Sequence, residues 1–401
     1  MPAFVNGPVY LDHAASTPMH PAAVEAMTRI LADAGNAASL HGSGRRARRH
    51  LEEARETVAA AINARPSEIV FTAGGTESDN LAIKGIFWAR TAADPRRRRL
   101  VISAVEHHAV MDPAAWLADR GDADLVVLPV DGEGRVSPAD LRTELAQHGA
   151  ETALVSVMWA NNEVGTIQPV AELAAVAAEY GVPFHTDAVQ AVGHIPVDLA
   201  AVGVSALTLA AHKFGGPHGM GALVLRRDVD CVPLLHGGGH ERDVRSGTPD
   251  AAAAAGMAAA LRIAVDELPV TMRSVAARRD RLLDVARGVE GCVVNGPLGV
   301  DRLPGNAHVS LLGCEGDSLL MLLDANGIEC STGSACTAGV ARASHVLLAM
   351  GLSTPDARSS LRFSLAPSTT DAEIDAVADV LADVADRARV AGMAGAVVGE
   401  R

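Results

Sequence analysis

The sequence predicts a doubly wound α/β fold followed by a smaller α+β unit, and three observations carry that prediction. From about residue 65 to residue 225, short β-branched runs alternate with amphipathic stretches of helical period. The connecting stretches are long enough to be the crossover helices that parallel strands need. Past a glycine-rich segment at residues 237–250 the texture changes to one long helical region, then short strands, then a terminal helix.

The strand runs in order are EIVFTA, RLVISAV, LVVLPV, TALVSVMWA, VPFHTDAV, SALTLAA and GALVLRR. Between them, SPADLRTELAQH opens with a serine cap at Ser137 and a proline in its first turn, and PVAELAAVAAEYG reads as a second crossover helix. The sheet is therefore expected to be mostly parallel. A helical region over about residues 249–287 then leads to strands around NAHVSLL and LRFSL and to the helix DAEIDAVADVLADVADRA. There is no internal repeat or coiled-coil heptad run.

With 401 residues, 49% of them hydrophobic, the chain can bury a large core, as an enzyme-sized protein does. The net charge of -14, from 34 basic and 48 acidic residues, argues against direct nucleic-acid binding, because neutralising phosphates takes clustered positive charge. The arginines at 45–49 and 96–99 are exceptions that read as solvated faces, the first on a helix with Glu52, Glu53 and Glu56 nearby, the second in a loop. The N-terminus has no basic stretch leading into an apolar run, and no apolar run reaches membrane-spanning length, so a cytoplasmic protein is expected. Five scattered cysteines without a CxxC pair fit a reducing compartment and free thiols.

The chain contains only two lysines, Lys84 and Lys213. Lys84 falls inside a helical pattern and reads as a solvent-facing side chain. Lys213 instead follows the strand ALTLAA, between a histidine and a glycine-rich turn, at the kind of strand end where ligands collect. A lysine that condenses with an aldehyde cofactor must be desolvated or set beside another cation, so that its amine is free. Pyridoxal phosphate also needs a carboxylate against its ring nitrogen, and Asp187 ends the preceding strand. The third need is a phosphate cup: FTAGGTESDNLAIKG reads as strand, glycine turn and helix start, where backbone N–H groups face an anion. A glycine turn alone is a weak signal, but the three features in this order are specific.

Those residues lie within longer motifs that resemble a known family, the IscS/NifS-type cysteine desulfurases of the class V aminotransferases, which are fold-type I pyridoxal-phosphate enzymes. The motifs run from LDHAASTPMHP at Leu11 and GNAASLHGSG at Gly35 through FTAGGTESDNLAIKG at Phe71, EHHAV at Glu106 and NNEVGTIQ at Asn161. They continue with HTDAVQAVG at His185, AHKFGGPHGMGAL at Ala211, GGGHERDVRSGTPD at Gly237, STGSACTAG at Ser331 and LRFSL at Leu361. The resemblance implies a large cofactor-binding α/β domain over residues 19–260. Residues 1–18 with 261–401 would form a small α+β domain that carries a catalytic cysteine loop.

It further implies that Gly75, Thr76 and His212 bind the cofactor phosphate and that Thr248 reaches it from the partner in a homodimer. Asn162 and Gln190 are assigned to the ring substituents, and His107 stacks on the ring and serves as an acid/base. Arg362 clamps the substrate carboxylate with help from Asn36, a task suited to a planar guanidinium. Cys336, in the polar glycine-containing stretch STGSACTAG, is the nucleophile that takes sulfur from L-cysteine, leaving L-alanine and an enzyme persulfide. That sulfur is expected to pass to an iron-sulfur scaffold protein or a tRNA-thiolating enzyme. No resident metal is expected, with Cys336 allowed as a transient iron-sulfur ligand. Cys231, Cys292, Cys314 and Cys330 read as buried small hydrophobes.

The chain departs from the family at Ala210, where many members place a phosphate-binding serine. One lost hydrogen bond weakens binding by on the order of 1 kcal/mol. Ala37 and the Ala366-Pro367 pair differ near the substrate entrance. Two rival readings remain: another reaction on the same fold, such as selenocysteine lyase, cysteine-sulfinate desulfination or transamination, and a metal or cluster protein using Cys330, Cys336, His107, His108 and His345. The spacing of the second set matches no usual zinc pattern.

Overall fold

The computed structural model describes residues 7–333 and 343–399. In chain order the strands are β1 (Val9–Tyr10), β2 (Ile69–Thr72), β3 (Arg99–Ser103), β4 (Asp124–Leu128), β5 (Thr152–Ser156) and β6 (Phe184–Asp187). They continue with β7 (Ala206–Ala210), β8 (Gly221–Leu225), β9 (Cys292–Val294), β10 (Asn306–Leu311), β11 (Ile328–Glu329) and β12 (Ser360–Ser364). The seven strands β2 to β8 form one sheet in the order β2-β8-β7-β6-β5-β3-β4.

Pairs β3–β4, β3–β5, β5–β6 and β6–β7 are parallel, whereas β8 is antiparallel to both of its neighbours. The sheet is thus mostly parallel, and the exception has a physical reason. Only the ten residues 211–220 join β7 to β8, and a return that short cannot make the crossover a parallel partner requires. Because β8 runs backwards between β2 and β7, all six other strands, β2 to β7, end on the same edge of the sheet.

Helices cover both faces, as a sheet buried on both sides demands. On one face Leu51, Val58, Leu173, Met257 and Leu261 pack on Phe71, Phe184 and Leu207. On the other, Leu81, Ile83, Phe87, Val110 and Leu117 pack on Leu100, Ile102 and Leu154. Fully burying each large aliphatic side chain stabilises by roughly 1.5–3 kcal/mol. A separate cluster joins Leu282, Val309, Leu319, Phe363, Ile374 and Leu381 under the antiparallel sheet β9-β10-β12. The 37-residue helix Ala251–Arg287 serves both, with Ala254 and Met257 in the first cluster and Val275, Leu282 and Ala286 in the last. The N-terminal segment packs with the C-terminal strands: β1 pairs with β11, and Asp12 bridges Ser364.

Two expectations change. Lys84 is half-buried rather than free in solvent, since it sits in the π-helical stretch Leu81–Ile86, with Nζ donating to Asn80 at 2.9 Å and lying 4.6 Å over the Trp116 ring. Of the four cysteines among the described residues, Cys314 alone is fully buried, while Cys231, Cys292 and Cys330 are half-buried. Burial still pushes all four thiols up, Cys231 and Cys330 to about 12, so they resist ionisation.

A buried ion pair ties the glycine-rich segment to the sheet. Arg55 donates to both carboxylate oxygens of Glu241, at 2.9 and 2.7 Å, and Glu241 also accepts from the Phe71 N–H. Residues His240 to Asp243 all have positive φ, a strained run that this pair pins down. Arg55→Ala strands the Glu241 charge and should lower unfolding stability by about 3–5 kcal/mol, read from denaturant midpoints.

Candidate active site

The strand ends at the shared edge surround a cavity of about 600 Å³. Each strand delivers one side chain or turn: Gly75 and Thr76 follow β2, His107 follows β3, Asn162 follows β5, Asp187 ends β6, and His212 and Lys213 follow β7. Gln190 and Arg362 complete the wall, together with Asp79, Glu163, Ser344 and His345. Ligands collect at this edge in open α/β sheets.

Lys213 is held at the base of the cavity. Its Nζ donates to Ala14 O at 2.7 Å and Ala15 O at 3.0 Å, and Gln190 Nε2 donates to Ala14 O at 2.9 Å. Burial first, and then the Arg362 charge, lower the Lys213 pKa to about 8, with Asp187 and Asp12 opposing. Asp187 is buried, and its Oδ1 accepts from Val189 N at 2.9 Å. Desolvation raises its pKa, partly offset by His107, that backbone bond and Lys213. His107 caps the helix His108–Asp119 by accepting from Ala109 N on Nδ1 at 3.0 Å, which leaves its other ring nitrogen to carry the proton. Burial lowers its pKa and favours the neutral ring.

The glycine turn after β2 opens a continuous helical run over residues 75–93. Gly74 takes φ +140, open to glycine, and a Cβ on Gly221 would come within 2.8 Å of it, so both positions need the missing side chain. Gly75 and Thr76 at this helix start line the cavity together with His212, and the first N–H groups of a helix have no partner within it. His212 Nδ1 is buried without a hydrogen-bond partner among the described residues. Ala210 lines the same wall and offers no hydroxyl.

Arg362, on β12, is buried, and its guanidinium is already half engaged. Nη1 donates to Asn162 O at 2.9 Å and Nη2 to Asp12 Oδ1 at 2.7 Å, while Nε has no partner among the described residues. The sequence reading missed Asp12, Glu106 and Glu163. Glu106 accepts from Ser103 and from Met158 N, and burial pushes it up to about 8. Glu163 accepts from Ser344 Oγ at 2.5 Å. Their motifs, LDHAAS, EHHAV and NNEVGT, were visible, but nothing local marks a carboxyl for burial. Asn36 and Thr248 do not line the cavity, and both are exposed. Cys336 lies outside the described residues, three positions after Gly333 and eight before Ser344, and Ser331, Gly333, Ser344 and His345 are all on the cavity wall. Among the described residues no group of His, Cys, Asp or Glu is arranged to hold a metal ion, and no helix is long and apolar enough to cross a membrane.

The residues present fit an aldehyde cofactor with a phosphate tail: one depressed amine, one buried carboxylate, and a helix start beside an unpartnered imidazole nitrogen. The aminotransferase class-V family model matches residues 9–377. The chain belongs to the class-V aminotransferase family. An IscS-like cysteine desulfurase from Mycobacterium tuberculosis is 59% identical over 388 residues, 96% of this chain and 98% of that protein. The structure of a NifS-like protein superposes with a TM-score of 0.86 at 34% identity, covering 94% of this chain and 98% of the other. A structure described as SspA in complex with cysteine superposes with a TM-score of 0.77 at 31% identity, covering 90% and 99%. Within the family, this chain is therefore one of the IscS/NifS-like cysteine desulfurases.

Because burial disfavours the ammonium, the reactive neutral amine of Lys213 appears as pH rises through about 8, not near 10.4 as for an exposed lysine. Reductive methylation of the cofactor-free protein, followed by mass spectrometry of the Lys213 peptide, should show a rate with its midpoint near pH 8.

Proposed function

We propose that this chain is a pyridoxal-phosphate enzyme that takes sulfur from L-cysteine, releases L-alanine and carries the sulfur as a persulfide on Cys336. The observation that carries the reading is one cavity lined by Lys213, Asp187 and Arg362, an amine, a buried carboxylate and a half-engaged guanidinium. Bound there, the cofactor supplies an electron sink at the substrate α-carbon.

The chain's own residues do the rest. Lys213 would hold the cofactor aldehyde, and its amine, with a pKa of about 8, is suited to moving the substrate α-proton. Asp187 would keep the cofactor's pyridine nitrogen protonated, and His107 would cover the ring as a neutral imidazole. Gly75, Thr76 and His212 would hold the phosphate, with Thr248 of a second protomer in a homodimer, while Asn162 and Gln190 would meet the ring substituents. Arg362 takes the substrate carboxylate on its free Nε edge, with Asn36 assisting. The Cys336 thiolate forms a new bond to the substrate sulfur as the carbon–sulfur bond breaks, and that electron pair leaves with the three-carbon fragment, which a proton converts to alanine.

Residues 19–260 are read as the cofactor-binding domain, and residues 1–18 with 261–401 as the unit that brings Arg362 and Cys336. The persulfide passes to a sulfur acceptor, either an iron-sulfur scaffold protein or a tRNA-thiolating enzyme, in the cytoplasm.

Cys336→Ser should abolish alanine and persulfide formation from L-cysteine while leaving the visible absorbance of the bound cofactor intact. Lys213→Ala should remove the covalently held cofactor band. Alanine release undiminished in Cys336→Ser would point to a lyase that needs no loop thiol. Arg362→Ala should raise KM for L-cysteine about 100-fold, since two charge-assisted hydrogen bonds are worth roughly 3 kcal/mol together.

A further inference from the structure

Beside Asp187 the sheet carries a row of polar side chains that solvent does not reach. Ser156 on β5, His185 on β6 and Thr208 on β7 are each 0% exposed, and Asp79 descends on them from the helical run over residues 75–93 at 1%. Ser156 Oγ bonds His185 Nδ1 at 2.8 Å, and His185 Nε2 bonds Thr208 Oγ1 at 3.1 Å. Thr208 in turn hydrogen-bonds the Asp79 carboxyl, and it pairs in register with Asp187 across β6 and β7. Asp79 Oδ1 has no partner among the described residues and lies 3.6 Å from His185 Nε2, too far for a hydrogen bond. Nothing in the mechanism above uses this row.

We propose that Asp79 is a positioning residue that keeps its proton as a neutral carboxylic acid, leaving Asp187 as the single anion presented to the cofactor's pyridine nitrogen. The inference rests on the reading of Asp187 given above.

Charge balance in a dry layer decides it. The titratable groups that face Asp79 are His185, Asp187 and Glu106, and the bases Lys213 and His107 act on Asp187. Three carboxyls thus share one water-free region, and one protonated ring nitrogen can balance only one of them. Burial raises Asp79, the Asp187 charge raises it further, and the Thr208 hydroxyl offsets only part of this, so Asp79 stays well above the ordinary carboxylate range. The competing arrangement is a His185 cation paired with an Asp79 anion. Burial opposes it by taking His185 to about 3, and both ring nitrogens already meet hydroxyls that suit a neutral ring.

Infrared difference spectra of the holoenzyme in D2O between pH 6 and 8 test this directly. Wild type minus Asp79→Asn should show the carbonyl stretch of a neutral carboxylic acid, and the pH midpoint of the visible cofactor band should stay the same, because one neutral group replaces another. Absence of the carbonyl stretch, or a midpoint moved by one unit or more, overturns the proposal. Should Asp79→Asn fail to fold, Thr208→Val serves instead: it removes the acid's hydrogen-bond partner and should shift that carbonyl stretch, and an unshifted band overturns the assignment. Asp187→Asn separates the two readings. Keeping a normal cofactor band in that variant counts against the reading of Asp187, while the Asp79 carbonyl stretch reports on Asp79 alone.

Discussion

Removing water from an amine and several carboxyls is the constraint on which the site depends. In water Lys213 would stay charged and Asp187 would be one carboxylate among many. At the closed edge of a sheet covered on both faces, burial lowers the amine to about 8 and raises the carboxyls, so charge states follow from depth and neighbours. The fold produces this depth by ending six strands, β2 to β7, at one edge, with β8 alone running the other way between β2 and β7.

The N-terminal segment closes the site from the other side. Asp12 holds Arg362, Ala14 O accepts from both Lys213 and Gln190, and Ala14 N–H donates to Ser364 Oγ at 2.8 Å. A few residues at the start of the chain therefore fix the positions of an amine from β7's end and a guanidinium from β12. Since β1 and Asp12 pair with β11 and β12, any shift of the C-terminal sheet carries both Asp12 and Arg362 with it. Glu163 links the same wall to Ser344, which ties the turn after β5 to the stretch after residue 342.

Much of this was legible before any coordinates. Alternating runs announced the sheet, a lysine rare in composition and placed after a strand announced the amine, and Asp187 followed from the strand before it. What was not legible depended on contacts across long stretches of chain. Arg362 and Asp12 meet over 350 positions, and Arg55 meets Glu241 over 186. Periodicity placed Lys84 on a helix face, but only the packing of Trp116 and Asn80 showed that this face is covered. Asp79 reads in sequence as one more polar residue near the start of a helix.

The sequence by itself determined the residue types, their order along the chain and the strand ends that carry them, because hydrophobic period and turn chemistry are local properties. Tertiary structure alone decided which of those groups lose their water and which find a partner. Desolvation and pairing depend on neighbours that arrive from distant strands, so the protonation of Lys213, Asp79 and Glu106, and the half-engaged state of Arg362, exist only once the sheet has formed and the N-terminal segment has closed over it.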